Sequence, residues 1–206
     1  MRPIFITGTD TGVGKTTLSA WLIKISNHVY WKPIQTGKEN DTKTVQNITL
    51  AQSDRFINPI YSFPKPASPH IASQDQGVTI SLEKIIAAMP AEKKLIIEGA
   101  GGVMVPVNQR EMIIDLIKAL NSRVIIVSKT LLGTINHTLL TIKALKDYNI
   151  FIAGVVLNGT MDYAVAQSIM QYGNIEILAN IPMLPHLSVQ TISNIKVNKS
   201  IEKILR

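Results

Sequence analysis

Residues 7–17 read TGTDTGVGKTT. They nearly fit the pattern G-x-x-x-x-G-K-[ST], whose chemistry is the grip on a phosphate chain. Gly8, Gly12 and Gly14 lack Cβ atoms, so backbone N–H groups can turn inward toward phosphate oxygens. Lys15 opens a helix, and its ammonium reaches toward β- and γ-phosphates, where the positive helix N-terminus adds to the attraction. The Thr16 hydroxyl is placed to meet Mg²⁺. One feature is out of pattern. The first glycine is due at position 9, but Thr9 stands there and the glycine comes one place early. The entry of the loop therefore presents side chains, Thr9, Asp10 and Thr11, that can do more than hold a nucleotide.

Other chemistry-bearing residues follow short apolar runs. Lys32 ends Val29-Tyr30-Trp31-Lys32 and precedes PIQTG, with Thr36 and Gly37 extending that edge. Glu98 follows Leu95-Ile96-Ile97 and opens EGAGG. An acid there is the usual second anchor for Mg²⁺, although a glycine turn with a capping acid reads the same way. Asp41 begins a helical pattern and is either an N-cap or a third metal ligand. Asn158-Gly159 follows Ile152–Leu157 and is either a contact for a nucleobase edge or a common turn. His70, in Ser68-Pro69-His70, and His137, in Gly133-Thr134-Ile135-Asn136-His137, are either catalytic or structural hydrogen-bonders. No metal-ligating histidine spacing occurs.

The elements that must position these residues alternate in type. Strands are expected at 3–7, 29–32, 95–98, 124–127, 152–157 and 175–179. Helices are expected at 15–26, 41–53, 82–89, 111–120, 134–146, 163–172 and 192–205. Apolar residues recur at Leu18, Trp21, Leu22 and Ile25, the spacing of one helix face. The strands are apolar at consecutive positions, as parallel strands covered on both faces are. Such alternation implies an α/β fold, one doubly wound, mostly parallel sheet flanked by helices, with ligands beyond the carboxyl ends of the strands. Residues 57–81 contain Pro59, Pro64, Pro66 and Pro69 and are expected to be irregular.

Bulk composition bounds the rest. The 206 residues suit one domain, and 46% are apolar. No apolar run is long enough to cross a membrane, and no signal-peptide pattern precedes the first strand. The absence of cysteine excludes disulfides, thiolate metal sites and a Cys nucleophile, and fits a cytoplasmic location. The net charge of +7 suits polyphosphate or an anionic small molecule as well as nucleic acid. The basic residues are scattered, densest at Lys196, Lys199, Lys203 and Arg206, without interleaved aromatics. Neither a nucleic-acid nor a membrane partner is expected.

Taken together, TGTDTGVGKT, WKPIQTG, SPH, EGAGG and LGTINH, in that order, resemble the dethiobiotin synthetases, P-loop ATP-dependent ligases of biotin synthesis. The resemblance runs to about residue 160, and the early glycine belongs to that family's pattern. It implies 7,8-diaminononanoate, CO₂ and ATP as substrates, with Mg²⁺ as cofactor. An amine becomes a carbamate, the γ-phosphoryl group moves to it, and the second amine closes the ring. By that similarity Lys15, Lys32 and Thr11 serve catalysis, and Thr16, Asp41 and Glu98 hold the metal. ATP would lie on Gly12, Val13, Gly14, Lys15, Thr16 and Thr17, on Glu98, Gly99, Ala100 and Gly101, and on Asn158, Pro182, Met183 and Leu184. Thr36 would bind the substrate near its amines. Gly133, Thr134, Ile135 and Asn136 would bind its carboxylate from the neighbouring subunit, which implies a homodimer with shared sites. The chain departs from the family pattern at Gly12, where an acid is frequent, and at Gly159, where Asp is frequent.

Two other readings compete. Partition-type or chaperone-type ATPases of the same fold bind a macromolecular partner, but usually carry a second lysine early in the loop, where this chain has Thr9-Asp10-Thr11-Gly12. Amidation enzymes of the cobyrinic-acid type are normally fused to a glutaminase domain with a catalytic Cys, and this chain has none.

Overall fold

The computed structural model describes residues 2–91 and 94–206. Its main sheet has seven strands, all parallel. In chain order they are β1 (Ile4–Gly8), β2 (Val29–Trp31), β4 (Phe56–Ile57), β6 (Leu95–Gly102), β7 (Arg123–Lys129), β8 (Ile152–Asn158) and β9 (Ile177–Ile181). In space they run β4-β2-β6-β1-β7-β8-β9. The chain runs from β1 out to β2 and β4, returns to place β6 between β2 and β1, and then works out through β7, β8 and β9, so the switch of direction lies beside β1. Ligands gather at such a point in an open parallel sheet.

Consecutive apolar residues in each strand feed two cores. Ile4, Ile6, Ile96, Ile125 and Val127 face one side, where α1 (Lys15–Lys24), α2 (Asp41–Thr49), α8 (Val189–Ser193) and α9 (Lys199–Leu205) pack. Phe5, Ile97, Val124 and Ile126 face the other. There α3 (Pro69–Gln74), α4 (Leu82–Ala87), α5 (Ile113–Ala119), α6 (Thr134–Asp147) and α7 (Tyr163–Gly173) cover them. Strand residues alternate faces, so a run that is apolar at every position needs both layers. No helix among the described residues is long and apolar enough to cross a membrane.

Three expectations need correction. The proline-containing stretch is not irregular throughout. It carries β5 (Tyr61–Phe63), which pairs in parallel with β3 (Ile34–Thr36), a strand not expected after Pro33. It also carries α3, with Pro69 in its first turn, where a missing N–H costs nothing. The prolines punctuate these elements rather than interrupt them. The expected C-terminal helix is two helices. Asn198 caps the second, accepting from Ile201 N at 3.0 Å and donating to Leu178 O at 2.7 Å. The last strand starts two residues later than expected and ends at Ile181.

The turn between α1 and β2 buries a histidine. His28 is 2% exposed, with Nδ1 3.1 Å from Ser26 Oγ. Arg55 closes this turn by donating to the carbonyls of Ile23, Ser26 and His28. Burial, reinforced by the Lys94, Arg123 and Arg55 charges, pushes the His28 imidazole down to about 4 from its ordinary 6.5. As pH falls between those values the unfolded chain takes up the proton and the folded chain resists it, so stability falls with pH. That difference is worth on the order of 3 kcal/mol once pH has fallen to the folded value. In urea titrations at neutral pH and near pH 4, His28→Gln should lose less stability than the parent. An acid limb as steep as the parent's would remove His28 from the account.

Candidate active site

The site is built around one buried carboxylate. The strand expected to end at residue 98 runs on to Gly102, so Glu98 lies inside β6, opposite Ile6 of β1, and points to the α1 side. It is 1% exposed, and four donors surround it. Thr16 Oγ1 at 2.9 Å and Lys32 Nζ at 3.0 Å approach Oε1. Ser19 Oγ at 2.7 Å and Tyr30 OH at 3.0 Å approach Oε2. A buried carboxylate needs such partners, because its loss of hydration is otherwise uncompensated. The β6 strand then bulges. Relative to β1 it advances from Glu98 to Gly102 while β1 advances from Ile6 only to Gly8. Glycines allow this: a Cβ on Gly99 would sit 2.7 Å from the Phe5 ring, and Gly101 has φ +69°.

Lys32 ends its apolar run at the rim of the same cluster. Its Nζ is 2.6 Å from Asp41 Oδ2 and 3.0 Å from Glu98 Oε1. Burial pulls its ammonium down, but the Glu98 and Asp41 carboxylates outweigh burial and hold it above its ordinary value. Lys32 is therefore a fixed cation across the neutral range. Asp41 shows the mirror effect. Burial pushes its carboxyl up, and the Lys32 ammonium with hydrogen bonds from Lys32, Thr16 and Gln35 leaves it below the usual range. The cap of α2 is Asn40, whose Oδ1 accepts from Lys43 N at 3.0 Å. That frees Asp41 to face Lys32 and Thr16, the latter at 3.1 Å.

The loop itself follows from Gly14, the N-cap of α1 at φ +104°, a region that favours glycine. A side chain there would also collide with Asn158. Lys15 folds back so that Nζ donates to Asp10 O at 3.0 Å. Burial brings its ammonium below the ordinary value, against opposing pulls from Glu98, Asp41 and Asp10.

Most of the residues singled out from the sequence meet in one cleft of about 550 Å³. Thr11, Gly12, Gly14, Lys15, Thr16 and Thr17 form its floor. Lys32, Thr36, Asp41, Glu98, Ala100 and Gly101 form the facing walls. Val13 is buried beneath and accepts from Asn158 Nδ2 at 2.8 Å. Gly99 faces Phe5 rather than the cleft. A second cleft, of about 470 Å³, holds Asn158, Gly159, Met183 and Leu184, and Thr17 lines both. Pro182 stands exposed just after β9. Gly133, Thr134, Ile135 and Asn136 open α6 and line neither cleft. Thr134 is buried with its hydroxyl 2.6 Å from Ser128 Oγ. His137 sits in a separate groove with Thr9, Asp10 and Thr11. His70 is a hydrogen-bonder, with Nδ1 3.1 Å from Ser68 Oγ and 3.3 Å from Pro106 O.

Three functional contacts were not singled out from the sequence. Ser19 and Tyr30 fall at core-like positions of an apolar helix and strand. Gln35 accepts from Asp41 N at 3.2 Å. Ser19 alone left a trace, since it lies one helical turn beyond Lys15.

Comparison with known proteins agrees with this geometry. A model of the AAA domain family matches residues 2–191. The ATP-dependent dethiobiotin synthetase BioD of Paramagnetospirillum magneticum is 40% identical over 195 residues, 95% of each chain. The protein of the same name from Lawsonia intracellularis is 39% identical over 202 residues, 97% of each chain. Among solved structures, a ParA family ATPase from Chlorobium tepidum superposes with a TM-score of 0.59 at 16% identity, over 99% of this chain and 93% of that one. MinD of Pyrococcus horikoshii superposes with a TM-score of 0.58 at 14% identity, over 98% and 95%. These two show a shared fold. The motifs, the cleft and the full-length relatives converge, and the chain belongs to the family of ATP-dependent dethiobiotin synthetases.

Proposed function

We propose that this chain carboxylates and cyclises 7,8-diaminononanoate with CO₂ to dethiobiotin, consuming ATP and releasing ADP and phosphate, with all 206 residues acting as one synthetase domain. The observation that carries the reading is the meeting of Lys15 and Lys32 in one cleft with the loop amides, Thr11 and Thr36.

The triphosphate would lie along Gly12–Thr17, with adenine in the second cleft near Asn158, Pro182, Met183 and Leu184. Thr17 joins the two clefts. The Thr16 hydroxyl lies 3.1 Å from Asp41 Oδ1 and 2.9 Å from Glu98 Oε1, and these hard oxygen donors together are a set that fits Mg²⁺. Bound there, Mg²⁺ would supply positive charge to the β- and γ-phosphates. One substrate amine adds to CO₂ and loses a proton, giving a carbamate. Its oxygen attacks the γ-phosphorus and ADP departs. The second amine then attacks the carbamate carbon and phosphate leaves. The difficult encounter is between two anions, the carbamate and the γ-phosphate. Lys15 and Lys32 lower that repulsion by lying where the two must meet, and positioning does the rest. Thr11 and Thr36 would hydrogen-bond the carbamate and the amines.

The α6 start supports a second subunit. Gly133–Asn136 line neither of this chain's two clefts, and Leu132 and Leu140 stand exposed around them. Their N–H groups would hold the substrate carboxylate of the neighbouring protomer.

With MgATP and bicarbonate, ADP release should depend on the diamine. Release indifferent to the diamine would instead favour an ATPase of the partition type. Lys32→Ala should lower the rate by roughly a thousandfold, the scale of removing one charge stabiliser from a transition state, while nucleotide binding survives. Normal turnover by that variant would refute the role of Lys32. The shared site is tested by mixing Lys32→Ala with Gly133→Val, which strains a φ of +92°. Each alone should be nearly inactive. A one-to-one mixture should recover about a quarter of the parent rate, since half of the dimers then hold one intact site. No recovery in verified heterodimers would place each site within a single chain.

A further inference from the structure

We infer that Ser19 and Tyr30 set the cation preference of this site: their hydroxyls hold Glu98 so that it offers one oxygen outward, which favours a small six-coordinate cation such as Mg²⁺ over Ca²⁺. The inference rests on the metal role proposed above for Glu98.

The two oxygens of Glu98 live in different surroundings. Thr16 and Lys32, on the Oε1 side, line the cleft. Ser19 and Tyr30, on the Oε2 side, are fully buried. The carboxylate is thus clamped edgewise, one oxygen toward the cleft and one into the core beneath α1. Tyr30 has a single hydroxyl proton, and Oε2 receives it at 3.0 Å. The Ser19 hydroxyl is 2.9 Å from Lys15 O and 2.7 Å from Oε2, and the ionised oxygen is the stronger acceptor.

Cations differ in what they ask of a carboxylate. Ca²⁺ takes six to eight oxygens at longer distances and readily chelates both oxygens of one carboxylate. Mg²⁺ demands near-octahedral geometry and is satisfied by single oxygens and water. Presenting both Glu98 oxygens to one ion would turn Oε2 away from Ser19 and Tyr30. Two buried hydroxyls would then lose their charged partner with no water to replace it. Asp41 carries no such clamp. Its oxygens meet Thr16, Lys32 and Gln35, and all three of those residues line the cleft. The selectivity therefore resides at Glu98.

The test is calorimetric titration of Mg²⁺ and of Ca²⁺ into the ADP-saturated protein, each affinity expressed relative to free ADP. Tyr30→Phe keeps the ring and removes the donor. It should lower the Mg²⁺ to Ca²⁺ affinity ratio by roughly tenfold, the scale of one hydrogen bond to a charged group. Ser19→Ala should lower it in the same direction, and carries the test should Tyr30→Phe not fold. Both affinities falling in proportion, with the ratio unchanged, would overturn the inference and leave these hydroxyls a packing role only. Glu98→Gln separates the two levels. Weakened binding of both ions alongside unchanged ratios in the hydroxyl variants would sink only the selectivity claim. Unaltered binding would remove Glu98 from the metal shell, and both claims with it.

Discussion

A carboxylate buried in the middle of a parallel sheet is the constraint on which this site turns. Moving such a charge out of water costs several kcal/mol, and the cost is tolerable only where nearly every lone pair finds a donor. Here the donors come from the start of α1, from its second turn, from β2 and from the residue that follows β2. Those elements must therefore dock in one register. Once they do, the phosphate loop, the strand that leads into Lys32 and the Glu98 strand share an edge. The cation between Asp41 and Glu98 is then held by the same network that makes burial of Glu98 tolerable.

The second tie is mechanical. Asn158 Nδ2 holds the Val13 carbonyl, and Gly14 turns against the same side chain. The end of β8 is thereby fixed to the phosphate loop, although β7 and β1 lie between β8 and β6. The phosphate cleft and the second cleft become two rooms with Thr17 as their common wall. A nucleotide placed across both would carry its terminal phosphoryl group toward Lys15 and Lys32. Preorganisation of that kind, rather than covalent participation, is what phosphoryl transfer chiefly needs from a protein.

The layout was legible wherever the chain punctuates itself. Apolar runs ending in a charged residue or in glycine gave away β1, β2, β6 and β8, and with them Lys15, Lys32, Glu98 and Asn158. The proline stretch misled because Pro69 can as well begin a helix as forbid one. The break before α9 hid because its apolar spacing continues on both sides of Asn198. Ser19 and Tyr30 were missed for a different reason. Each sits on the buried face of a regular element, where its carbon skeleton satisfies the pattern, and only the position of the hydroxyl in space reveals the Glu98 contact. Asp41 stood between two readings until Asn40 proved to be the cap.

The central claim is that clustered positive charge at one sheet edge lets the outermost phosphoryl group of a triphosphate approach a carbamate that would otherwise repel it. The most direct measurement is a crystal structure with a non-hydrolysable ATP analogue, Mg²⁺ and the diamine carboxylated from bicarbonate. The account predicts the carbamate oxygen in line with the γ-phosphorus, with the ammonium groups of Lys15 and Lys32 beside the two anions. Nucleotide and diamine in separate clefts, with Lys32 facing neither, would contradict it.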